Sequence, residues 1–178
     1  MPTENDHKRR AIFFDRDGVI NTRIVGGYVR QWSELQLTPE IASVLREVKR
    51  RDFLAIIITN QRGVGLGLMS EADLESIHTN LQSLLLRESG AVFDDIFTAT
   101  DIDDSNGRRK PAPAMLFEAA QKWNIDLRQS WMVGDSTSDI EAGKRAGTKT
   151  AFLITDNTED IPEATAILKD LSELLPLI

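Results

Sequence analysis

Five short apolar runs punctuate the chain: AIFF (11–14), LAIII (54–58), DIFTA (95–99), WMV (131–133) and TAFLI (150–154). They are continuous and do not alternate with polar residues, which is the pattern of strands covered on both faces, as in a parallel sheet. Helical periodicity fills the gaps. Thr38 and Pro39 offer an N-cap and a first-turn proline ahead of Ile41, Val44, Leu45 and Val48. Ser70 and Asp73 form a capping box before Leu74, Ile77, Leu81, Leu84 and Leu85, and Gly90 ends that helix. Pro113 precedes Leu116, Ala119, Ala120 and Trp123 at the same spacing. Further helices are expected over 137–146, closed by Gly147, and from about Ala164, where Ile167, Leu168, Leu171, Leu174 and Leu175 share a face. Alternation of this kind predicts an α/β fold: a doubly wound, Rossmann-like parallel sheet of about five strands with helices on both faces.

A chain of 178 residues holds one full core and is short for two. Residues 1–10 therefore read as a mobile N-terminal arm and 11–178 as a single domain. No apolar run approaches the roughly 20 residues that span a bilayer, and no signal-like apolar stretch follows the charged start, so a cytoplasmic protein without a membrane partner is expected. The absence of cysteine excludes a thiol nucleophile and thiolate-bound metals, and His7 and His78 are far apart in the chain. The net charge of −7 opposes a nucleic-acid partner. A monomer is expected.

Polar residues recur where the apolar runs stop. Asp15 and Asp17 follow the first run, and Thr59 and Asn60 the second. Lys110 follows the third after a loop, and Asp135 and Asp139 lie in GDSTSD after the fourth. In open parallel sheets ligands bind at the carboxyl ends of the strands. Carboxylates, a hydroxyl and a lysine gathered there fit phosphoryl transfer to a carboxylate. Two or three of the acids could hold Mg²⁺, a hard cation that takes oxygen ligands, while Thr59 and Lys110 meet the transferring oxygens. A free Asp15 carboxylate could attack phosphorus, and Asp17 could protonate the leaving alcohol and then activate water.

DRDGVIN, TNQRG, RRKP and GDSTSD, in that order, resemble the four motifs of haloacid dehalogenase-like phosphatases, in the form of the branch that holds heptose bisphosphate phosphatases and histidinol-phosphatase domains. The resemblance spans roughly residues 11–155. It implies Asp15 as nucleophile, Asp17 as general acid/base, and Mg²⁺ on Asp15, the Asp17 carbonyl and Asp135, with Asp139 in support. Thr59, Asn60 and Lys110 would bind the phosphoryl group, and Arg109 would reach the substrate. A small phosphorylated metabolite is implied, led by a sugar bisphosphate such as D-glycero-D-manno-heptose 1,7-bisphosphate. Histidinol phosphate, a nucleic-acid 3′-phosphate and a non-enzymatic phospho-acceptor switch stand as alternatives. The branch often carries a zinc loop built from cysteine and histidine before RKP; here TATDIDDSNGRR (98–109) has neither residue, so no zinc is expected. The motif spacings leave no room for a large cap domain, only for a flap over 22–37. Strand alternation turns Arg16 away from the two aspartates, and His78 falls on the polar side of its helix, where exposure is expected.

Overall fold

The computed structural model describes residues 7–103 and 105–178; most of the expected N-terminal arm, residues 1–6, lies outside them. Strand β1 (Ala11–Phe14) enters the sheet first, and Arg9 just before it bridges to Ile125. Helix α1 (Ile41–Arg50) and β2 (Leu54–Asn60) follow, then a single helical turn α2 (Arg62–Gly65), long α3 (Glu71–Ser89) and β3 (Asp95–Ala99). Helix α4 (Ala114–Trp123), β4 (Trp131–Gly134), α5 (Thr137–Ala146), β5 (Lys149–Leu153) and β6 (Ala166–Leu168) complete the order.

All six strands run parallel in the order β3-β2-β1-β4-β5-β6. Side chains alternate across each strand, so neighbouring residues enter opposite cores. Ile12 and Phe14 of β1 join Ala55 and Ile57 of β2 in a cluster with α1 and α3. Ala11 and Phe13 join Leu54, Ile56 and Ile58 in a second cluster, with Met115, Leu116 and Ala119 of α4 and Ala142 of α5. Strands buried on both sides must be apolar throughout, which is why the runs were legible. The strand order reverses between β1 and β4, and the crevice of such a sheet opens there.

Two local expectations are corrected. Thr38 does not cap α1: Glu40 stands at that position, and the Thr38 hydroxyl donates instead to the carbonyls of Val19 (2.8 Å) and Ile20 (3.2 Å). The helix expected from Ala164 is instead strand β6 followed by a 3-10 helix over Leu171–Leu177. Pairing with β5 places Ala166, Ile167 and Leu168 opposite Ala151, Phe152 and Leu153, which satisfies backbone groups that the edge of β5 would otherwise leave open. A 3-10 helix has three residues per turn, and Leu171 and Leu174 bury on one face of it, continuing from Leu168. No helix among the described residues is long and apolar enough to cross a membrane.

Candidate active site

Asp15 lies one residue beyond β1, and its N–H still bonds the Val133 carbonyl of β4 at 2.9 Å, so the sheet itself fixes its backbone. The chain then turns tightly: the Ile20 and Asn21 N–H groups return to the Arg16 carbonyl, and Gly18 N–H donates to the Asn21 carbonyl at 2.7 Å. Gly18 has φ +101°, and a Cβ built on it would stand 1.9 Å from Asp135 Oδ2. Only glycine lets this turn close against the end of β4.

Lys110 joins the acids. Its Nζ is 2.7 Å from Asp15 Oδ1, 2.6 Å from Asp139 Oδ1 and 2.8 Å from the Ile58 carbonyl, with the side chain 1% exposed. Burial works to lower its pKa, but Asp139 and Asp15 outweigh that and raise it, so the lysine stays charged. Asn60 holds Lys110 in place: its Nδ2 donates to the Lys110 carbonyl (3.0 Å) and its Oδ1 accepts from the Lys110 N–H (3.1 Å). Asp139, in the first turn of α5, accepts from the Ser136 N–H (3.1 Å) and hydroxyl (2.6 Å).

One carboxylate oxygen from each of Asp15, Asp135 and Asp139 lies within 4.8 Å of the others. Burial, then the Asp139 charge, pushes Asp15 up to about 6 against the pull of Lys110. Burial and Asp15 push Asp135 up to about 7, with Arg23 opposing. Crowded, desolvated carboxylates with oxygen as their only donor suit a hard divalent cation, and a cation among them would reverse both shifts. Convergence is visible in Arg23, whose Nη2 meets Asp135 Oδ1 (2.7 Å), the Asp17 carbonyl (3.2 Å) and Asp15 Oδ2 (3.9 Å).

The Asp17 carboxylate faces elsewhere. It accepts from Arg16 Nη2 (3.0 and 3.1 Å), Asn21 Nδ2 (2.9 Å) and Gln61 Nε2 (2.8 Å). Burial works to raise its pKa, yet Arg16 and these donors prevail and hold it below the usual value. The expectation that Arg16 turns away is thus corrected: the strand has ended by residue 15, and the tight turn brings Asp17 back over the buried guanidinium. His78 is corrected too. It is half-buried, with Nε2 3.3 Å from Arg16 Nη1, because α3 packs over the buried arginine.

Asp15, Asp17, Asn60, Arg109, Lys110 and Asp139 line one cavity of about 500 Å³. Thr59 is fully buried beneath it, its Oγ1 accepting from Gln61 Nε2 at 2.8 Å. Arg109 donates from Nη1 to the Asp101 carbonyl (2.9 Å) while facing the cavity. Segment 22–37 forms part of the rim through Arg23 and Tyr28, and its Trp32 packs on the core. Where a zinc loop would stand, Arg108 Nε donates to the Thr98 carbonyl (3.2 Å) and pairs with Glu118, and Asp103 Oδ1 accepts from the Ser105 N–H (3.0 Å). Asp104 lies outside the described residues. Arg16, Gln61 and Arg23 were missed as site residues. Gln61 adjoins the TN pair and could have been included; Arg23 belongs to no motif.

A family model described as haloacid dehalogenase-like hydrolase matches residues 20–147. The D-glycero-beta-D-manno-heptose-1,7-bisphosphate 7-phosphatase of Helicobacter pylori is 35% identical over 170 residues, 95% of this chain and 97% of its own length. The D-glycero-alpha-D-manno-heptose-1,7-bisphosphate 7-phosphatase of Burkholderia mallei is 32% identical, over 96% and 94% of the two chains. Among solved structures, the D,D-heptose 1,7-bisphosphate phosphatase from B. bronchiseptica, complexed with magnesium and phosphate, superposes with a TM-score of 0.86 at 30% identity, covering 94% of this chain and 97% of that one.

Proposed function

Because the chain belongs to the haloacid dehalogenase-like hydrolases and is a phosphoric monoester hydrolase, we propose that it removes the 7-phosphate of a D-glycero-D-manno-heptose 1,7-bisphosphate through an aspartyl phosphate on Asp15. The observation that carries this reading is the buried Asp15 carboxylate at the strand-order reversal, 2.7 Å from the Lys110 ammonium and crowded by Asp135 and Asp139.

In this reading an Asp15 oxygen attacks phosphorus and the bond to the sugar oxygen breaks. Lys110 holds the attacking carboxylate and offers positive charge to the phosphoryl oxygens, where a fixed charge in a water-poor site acts most strongly. Arg109 meets the anion from the cavity wall, the buried Thr59 hydroxyl backs it, and Asn60 acts through Lys110 by fixing its backbone. Mg²⁺, held by Asp15, the Asp17 carbonyl and Asp135 with Asp139 in support, would neutralise the repulsion between carboxylate and phosphate dianion. Asp17 carries the proton. Ionised against Arg16, it is a base; turned toward the cavity it loses the interactions that hold it ionised, takes up a proton from solvent and gives it to the sugar oxygen as the P–O bond breaks. After the sugar departs, Asp17 takes a proton from the water that attacks the aspartyl phosphate. Residues 11–178 act here as one catalytic unit.

Phosphate release with Mg²⁺ from both anomers of the heptose bisphosphate, histidinol phosphate and a 3′-phosphorylated oligonucleotide tests the proposal, beside Asp15→Asn. One equivalent of phosphate from a heptose bisphosphate, lost in Asp15→Asn, is expected. Selective release from histidinol phosphate or the oligonucleotide would overturn the substrate, and turnover retained by pure Asp15→Asn would overturn the mechanism.

A further inference from the structure

Arg23 sits in an exposed loop, yet a single nitrogen of its guanidinium, Nη2, contacts oxygens of Asp135, the Asp17 carbonyl and Asp15 at 2.7, 3.2 and 3.9 Å. These are the groups that would hold the divalent cation. A guanidinium N–H and a metal ion draw on the same lone pairs and repel each other, so they cannot share the point where the oxygens converge. The two sides differ in freedom. The Arg23 side chain is 40% exposed, whereas those of Asp135 and Asp15 are 3% and 8% exposed. The base of the loop is tied by Thr22 N–H to the Gln36 carbonyl (2.8 Å) and by the bridge from Asn21 to Leu37, so the arginine can swing without the loop unfolding.

We propose that Arg23 is an internal counter-ion that competes with the divalent cation for these oxygens, and that cation binding expels the guanidinium into the cavity, where it faces the anionic substrate. The inference rests on the reading of Asp15, Asp17 and Asp135 as the cation site. It makes Arg23 a residue that sets cation affinity, and it links occupancy of the site to the position of the rim.

Calorimetric titration of the full chain with Mg²⁺ alone tests it. Arg23→Gln and Arg23→Ala should each bind Mg²⁺ at least about fivefold more tightly than the parent, the scale of one partly exposed ion pair. Arg62→Gln removes the same charge from the cavity wall without touching these oxygens, and should change affinity by less than about twofold. Asp135→Asn should lose most Mg²⁺ binding. Unchanged or weaker affinity in both Arg23 variants, or equal tightening in Arg62→Gln, would overturn the competition and leave the cation site standing. Parental affinity in Asp135→Asn would overturn the cation site, and the inference with it.

Discussion

Asp15 and Asp17 are one residue apart in sequence and lie in two electrostatically opposite regions. Around Asp15, buried carboxylates crowd together with Lys110 as their inner counter-charge, and the group is pushed up to about 6. Around Asp17, Arg16, Asn21 and Gln61 all donate, and the group is held below its usual value. The first region is short of positive charge and calls for a cation. The second is satisfied by the chain's own side chains. Without a cation these shifts run opposite to the proposed roles: a cation beside Asp15 would bring the nucleophile back to its ionised form, and Asp17 gains a proton only away from Arg16.

Substitutions that remove one role at a time separate the two regions. Asp17→Asn should slow the first step, single-turnover release of the alcohol, roughly 10²–10⁴-fold for the sugar phosphate and far less for p-nitrophenyl phosphate, since that leaving group needs no proton. Equal losses on both substrates in that first step would mean that Asp17 does not protonate the leaving group. Lys110→Met attacks the other region. It strands Asp15 and Asp139 without their counter-charge, and urea unfolding should show a loss of about 3 kcal/mol. A loss below about 1 kcal/mol would show that the cluster is better hydrated than its burial indicates.

Gly18→Ala probes the seam between the two regions. The new Cβ would meet Asp135 Oδ2, and φ +101° disfavours a side chain, so about 2 kcal/mol of stability should go, together with Mg²⁺ affinity measured by calorimetry. The smallest effect belongs to His78, behind Arg16. Burial, then the Arg16 charge, lowers its pKa to about 4 from 6.5, so the ring is neutral in the fold. A histidine whose folded pKa is depressed contributes fully above the unfolded value, and that contribution is lost as pH falls toward the folded one. The parent should therefore lose about 1 kcal/mol more than His78→Gln between about pH 7 and pH 5 in urea unfolding. Parallel pH profiles would show that the Asp17 region does not sense His78.

Strands β1, β2 and β4 were readable because a strand covered on both sides is apolar almost to its end, and β3 and β5 were readable from Ile96 and Phe97 and from Ala151 to Leu153, despite Asp95, Thr98 and Thr150. The C-terminal segment was not. Leu168, Leu171 and Leu174 satisfy a 3-10 spacing as well as an α-helical one, and the open edge of β5 decided between strand and helix. In the site, Asp15, Lys110, Asp135 and Asp139 could be named because each follows the end of a strand, at once or after a loop. Arg23 could not: its partner Asp135 lies 112 residues away, and nothing in the loop sequence encodes that approach. Asn60 was placed with the phosphate by its position, whereas its amide is taken up by the Lys110 backbone.

By itself the sequence determined the layered α/β sheet and the acids at its carboxyl edge, because burial on two faces and the end of a strand leave local marks in composition. Only the tertiary structure decided which acid is satisfied and which is short of positive charge. That depends on side chains from distant segments, Lys110 against Asp15 and Gln61 against Asp17 and its neighbour Arg16, meeting where water has been excluded. Interactions of that kind follow distance and dielectric, and neither is written in the order of residues.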